Sequence, residues 1–160
     1  YDVVIIQGHS MESINEKNDF LSYSKKLCEL AKSHGVIPYL YVTWGRQKVP
    51  QYQKTITEVY QEAARNNGCE LIAVGEAWDL ARRLRPNIQL FKDDGSHPMP
   101  LGAFLTACVI VNTLSSTLPD NLPSWYFTSD STGEQITLLM EDPLDIIFCV
   151  KVASEITSKP

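Results

Sequence analysis

The stretch Val3-Val4-Ile5-Ile6, running into Gln7-Gly8-His9-Ser10, decides the fold class. Four consecutive β-branched apolar residues, without polar alternation, read as a strand of a parallel sheet buried on both faces. Working outward, residues 17–33 set Phe20, Leu21, Ser24, Leu27, Cys28 and Ala31 at helical spacing, and His34-Gly35 is a fitting helix stop. Residues 36–43 read as a second strand. A helix over 53–66 carries Ile56, Val59, Tyr60 and Ala63 on one face and ends in Asn66-Asn67-Gly68. Residues 71–74 form a third strand, and 75–83 a short helix that stops before Pro86. A longer helix follows Pro98 and runs to about Ser115, with Pro98 and Pro100 accommodated in its first turn.

Strands alternating with helices predict an α/β protein with a parallel sheet and helices on both faces. In such open sheets ligands bind beyond the carboxyl ends of the strands, which places Gln7-Gly8-His9-Ser10, Thr43-Trp44-Gly45-Arg46 and Gly75-Glu76 on one rim, where the Asp94–His97 loop can join them. From Pro119 the texture changes. Pro119, Asp120 and Pro123 mark a loop, residues 125–128 and 135–139 can pair across the turn at 130–133, and Pro143 opens a last helix through Ile156. The expected organisation is a core over 1–118 with a hairpin-plus-helix appendage over 119–160 packed on it.

The composition is that of an ordinary globular domain: 160 residues, 44% hydrophobic, 21% charged, with a net charge of -5. Acidic and basic residues are interspersed, which gives no electrostatic footprint for nucleic acid. The longest apolar run, 101–114, is broken by polar residues and too short to span a bilayer. Cys28, Cys69, Cys108 and Cys149 are scattered singly, three of them in helices beside apolar neighbours, so buried thiols are favoured over disulfides. The chain enters a strand at once, with neither Met nor a basic leader, and an upstream segment is therefore expected. The protein is expected to be soluble, secreted or cytoplasmic, with the compartment left open.

Asp94-Gly95-Ser96-His97-Pro98 carries the chemistry. An Asp three residues before a His can orient the imidazole, as in a Ser-His-Asp triad; the simpler alternative is an Asp that caps a turn or helix beside a surface His. Gly8-His9-Ser10-Met11 has part of the G-x-S-x-G nucleophile elbow, but Glu12 stands at its last position. Ser10 is therefore weighed as an alternative nucleophile, as oxyanion support, or as a turn residue. Trp44 and Trp78 either line an acyl or sugar pocket or pack helices on the sheet, and Arg46 either binds a carboxylate or is solvated. His9 and His34 lack convergent spacing, so no metal site is expected.

The Asp94–Pro98 block, with Gly102 and Ala107-Cys108 on the following helix, resembles the last conserved block of the SGNH (GDSL-like) hydrolases. Asp2 to Ser10 resembles the block of that family that ends in Gly-x-Asn, and Thr43-Trp44 and Val74-Gly75-Glu76-Ala77-Trp78 resemble a bacterial-type branch. The resemblance covers roughly residues 1–118. It implies a flavodoxin-like three-layer α/β/α fold whose first strand and nucleophile block have no counterpart in this chain. It implies a serine esterase without cofactor, acting on an ester such as a carbohydrate O-acetyl group. His97 would be base and acid and Asp94 its orienter, with Gly8 and Ser10 or Gln7 contributing to the oxyanion site and the nucleophilic Ser upstream. Ser10 occupies the family's Asn position. A non-catalytic binding protein on the same scaffold is the rival, and an upstream segment or a second copy is a candidate to complete the sheet.

Overall fold

The computed structural model describes residues 1–119 and 121–158, so Asp120 of the expected loop lies outside the described residues. The chain divides into two compact units, Tyr1–Asp79 and the remainder from Leu80.

The first unit contains β1 (Val3–Gln7), α1 (Glu12–Asn15), α2 (Lys17–Ser33), β2 (Ile37–Tyr41), α3 (Tyr52–Asn67), β3 (Glu70–Ile72) and the start of α4 (Val74–Leu84). Its sheet is parallel throughout, in the order β1-β2-β3, with Val3 opposite Ile37 and Tyr39 opposite Glu70. The predicted α/β class with a parallel sheet holds. Side chains alternate across a strand, and Leu40 and Val42 join Phe20, Cys28, Ile56, Val59, Tyr60 and Ala63 in one apolar cluster, with Ile6 and Leu71 packed against it. Each fully buried Leu or Ile here contributes about 1.5–3 kcal/mol relative to exposure.

The reading of β1 as buried on both faces is corrected. Val3 and Ile5 remain 37% and 38% exposed. Among the described strands β1 is an edge, and the apolar cluster reaches it from the side of Ile6 only. The third strand is shorter than expected, and Val74 opens α4. Val42 explains this: its N–H donates to Ile72 and its carbonyl accepts from Gly75, so the ladder ends as the chain turns into the helix. Gly68 closes α3 in the left-handed conformation (φ 54°), accepted without the Cβ penalty.

The second unit holds the end of α4, then α5 (Pro100–Ser115), the antiparallel pair β4 (Trp125–Ser129) and β5 (Gln135–Met140), and α6 (Pro143–Thr157). α5 packs on α6 and on β5, burying Leu101, Leu105, Cys108 and Val109 on one helix and Ile146, Cys149, Val152 and Ala153 on the other. Arg85 binds Asp145 at 2.7 Å and lies over the Phe148 ring. The hairpin is largely exposed, with Leu139 its buried residue. Pro98 is not in the helical first turn, a second correction: it bridges Phe91, and Pro100 is the first helical residue. All four cysteines are free thiols, as the sequence favours. No helix among the described residues is long and apolar enough to cross a membrane.

Candidate active site

The Asp94–His97 segment is a closed loop whose stem is narrow and antiparallel. Phe91 bridges Pro98, Met99 N–H donates to Leu90 at 2.8 Å, and Lys92 N–H donates to the His97 carbonyl at 2.8 Å. Leu90 and Phe91 anchor the stem, being 0% and 7% exposed. Gly95 sits at φ 66°, a left-handed turn position that favours glycine.

Within that loop one carboxylate organises everything. Asp94 Oδ1 accepts the backbone N–H of Ser96 at 2.7 Å and of His97 at 2.9 Å, while Oδ2 lies 2.7 Å from His97 Nδ1. The capping role and the orienting role, alternatives in the sequence, are thus performed together, and the cap closes the turn rather than α5. The N-cap of α5 is Met99, without a side-chain bond. Hydrogen bonds from the His97 backbone, the His97 ring and the Ser96 backbone hold the Asp94 carboxyl down at about 2. A carboxylate on Nδ1 places the neutral imidazole's proton there and leaves Nε2 as the basic nitrogen. The His97 side chain is 73% exposed, so Nε2 is open to a reactant.

In the first unit, Gln7 ends β1, and Gly8 and Ser10 lie in the turn that leads to α1. The Gly8 N–H donates to the Tyr60 hydroxyl at 3.2 Å, and Glu12 Oε2 accepts from His9 N–H at 2.9 Å. A Cβ on Gly8 would stand 2.7 Å from that Glu12 oxygen and 3.0 Å from the Phe20 ring, so both side chains pack closely on the turn. Burial pushes the Tyr60 phenol up to about 12, keeping it protonated. Ser10 is half-buried and is followed by a helix of only four residues.

Gln53, which the sequence did not single out, fixes the Thr43–Arg46 loop. Its Oε1 accepts from Gly45 N–H at 2.7 Å, and its Nε2 donates to the Thr43 carbonyl and to Thr57 Oγ1, both at 3.3 Å. Gly75 packs so tightly here that a Cβ would lie 2.2 Å from Gln53 Nε2 and 2.3 Å from the Thr43 carbonyl. Trp44 stacks on Trp78 with centroids 4.1 Å apart and planes 5° from parallel. Trp78 is 1% exposed and serves the core, whereas Trp44 is half-buried. Arg46 is exposed. Glu76, at the start of α4, is held above the usual carboxylate range by burial.

The structure therefore brings Asp94 to His97 and Trp44 to Trp78, and sets Gln7, Gly8 and Ser10 at the carboxyl end of β1. Among the described residues no three His, Cys, Asp or Glu side chains group to hold a metal.

No protein-family model matches the chain, and no curated protein does. A solved structure does match: a protein from Slackia heliotrinireducens described as a "putative SGNH hydrolase", at 26% identity and a TM-score of 0.59. The match covers 72% of this chain and spans 66% of that one, slightly less than two thirds of its length. The fold class is α/β of the SGNH-hydrolase kind, in line with the resemblance of the sequence blocks.

Proposed function

We propose that the protein is a hydrolase that cleaves an ester through a Ser-His-Asp mechanism, with His97 as proton carrier and Asp94 as its orienter. The observation that carries this reading is the 2.7 Å contact between His97 Nδ1 and Asp94 Oδ2 in a loop closed by the same carboxylate. The hydrolase description of the structural neighbour supports it.

In this mechanism Nε2 of His97 takes the proton from a serine hydroxyl as its oxygen attacks the ester carbonyl. The imidazolium that forms is stabilised by the Asp94 carboxylate and gives the proton to the departing alcohol. Water then attacks the acyl-enzyme with Nε2 again as base, releasing the acid and the free serine. The serine is supplied by a segment that joins the sheet beside β1. One observation supports that placement: β1 is an edge among the described strands, with Val3 and Ile5 left partly exposed. An O-acetylated carbohydrate is the proposed class of substrate.

The test is hydrolysis of p-nitrophenyl acetate by the complete gene product, its His97→Ala variant and its Ser10→Ala variant. The proposal expects His97→Ala to lose several orders of magnitude in kcat/KM, and Ser10→Ala to lose much less. Equal activity of His97→Ala and the parent protein would overturn it. Total loss in Ser10→Ala with retained fold would move the nucleophile to Ser10. No hydrolysis by any form, together with tight binding of an ester, would favour the non-catalytic scaffold.

A further inference from the structure

Cys28 and Cys69 face one another with their Sγ atoms 3.9 Å apart, although 41 positions separate them in sequence. Cys28 projects from α2 and is 1% exposed. Cys69 lies between the left-handed Gly68 and β3, and is only half-buried. It lines an open depression of about 340 Å³ at the amino-terminal ends of β2 and β3, together with Lys32, Tyr39, Gly68 and Glu70. This is the end of the sheet opposite the strand ends that carry Ser10 and Trp44. Lys32 Nζ caps the depression, donating to the Gly68 carbonyl at 2.9 Å and to that of Asn67.

We propose that Cys28 and Cys69 are a redox-sensitive pair that a low-molecular-weight disulfide converts into an intramolecular disulfide, tying α2 to the start of β3. The sulfurs are already near contact, and closure to the roughly 2.05 Å of a disulfide requires a movement of about 1.9 Å. Cys69 sits in a short connection where such a movement costs little helical structure. Its place in the depression makes it the sulfur that reacts first. The Cys69 thiolate attacks the external disulfide, forms a mixed disulfide and expels one thiolate. The Cys28 thiolate then attacks Cys69 Sγ, forming the Cys28–Cys69 bond and expelling the second. The two protein thiols lose two electrons, the reagent gains them, and the two thiol protons end on the two released thiols. The Lys32 ammonium favours both thiolates, but burial dominates and pushes the Cys69 thiol up to about 12. Exchange is accordingly slow, and both thiols persist until an oxidant is supplied. Cys108 and Cys149 lie in the α5–α6 core at 3% and 0% exposure, out of an oxidant's reach.

The experiment uses the uncharged reagent hydroxyethyl disulfide on the folded, complete gene product at alkaline pH, followed by acid quench and tryptic mapping without reduction. The expected product links peptide 27–32 to peptide 66–82, at the sum of their masses less two hydrogens. The oxidised protein should melt about 5 °C or more above the reduced form, because the bond closes a long loop. In Cys28→Ala, Cys69 should carry the mixed disulfide instead. Either of two results would overturn the proposal: Cys69 carrying only the mixed disulfide in the parent chain, or both thiols remaining reduced under conditions that oxidise the urea-unfolded chain. The parent chain alone decides the matter, so a poorly folding variant does not blunt the test.

Discussion

Asp94 holds His97 at two points at once: Oδ1 accepts the His97 backbone N–H at 2.9 Å and Oδ2 meets the ring Nδ1 at 2.7 Å. The ring orientation is therefore fixed by the same four-residue turn, Asp94–His97, that fixes its backbone. A nearby carboxylate need not be delivered from a separate loop, which separates this arrangement from one in which Asp and His converge from distant segments.

Replacement of Asp94 by Asn should keep the turn and lose the tautomer. The Asn oxygen can still accept the Ser96 and His97 amides, but its NH2 group would face Nδ1 and favour the proton on Nε2. Nitrogen NMR of the histidine ring should show the change in the isolated chain, and kcat/KM of the complete protein should fall by about 10³–10⁴-fold. An unchanged tautomer would contradict the assigned geometry.

The same carboxylate gives a pH signature. Its folded value of about 2 lies below the ordinary 3.8, so its contribution to the turn is complete above about pH 4. That contribution is lost as pH falls through 2, where the folded form takes up its proton. Carboxyl-carbon NMR of Asp94 should titrate near 2 in the parent chain. A midpoint at or above 3.8 would mean that the three hydrogen bonds are not maintained.

Gly75→Ala should destabilise the first unit by about 1–3 kcal/mol or more. The new Cβ would meet the Thr43 carbonyl at 2.3 Å, a backbone atom that cannot move without disturbing the Gln53 latch. Urea unfolding measures the cost, and a change below about 0.5 kcal/mol would count against the close packing.

Trp78→Ala should cost about 3–5 kcal/mol, the range for a fully buried aromatic. Trp44→Ala should cost distinctly less, because Trp44 is only half-buried and leaves Trp78 in place. Urea melts of the two variants check the difference, and equal costs would contradict the burial of Trp78.

Much of this was legible in the chain. The β-branched runs and helical spacings located all three parallel strands, and Gly35 and Gly68 marked real helix ends. Spacing alone put Asp94 within reach of His97. What could not be read locally depended on distant partners. The run Val3–Ile6 has the same composition whether one or two faces are covered, and only the three-strand order reveals β1 as an edge. Pro98 suits a first helical turn, yet the bridge to Phe91, seven residues back, holds it outside the helix. Gln53 at the start of a helix carries no local signal of burial; it is buried because the Gly45 amide and Thr43 carbonyl need partners. Cys28 and Cys69 read as unrelated buried thiols until the fold set them 3.9 Å apart.

The most direct measurement of the central claim is labelling of the complete gene product with a fluorophosphonate probe, followed by mapping of the modified serine, in the parent protein and in His97→Ala. A hydrolase driven by the Asp94–His97 pair should be labelled on one serine outside residues 1–160, and labelling should be abolished when the imidazole is removed. An unlabelled parent protein, or labelling that persists at the same rate without His97, would contradict the account.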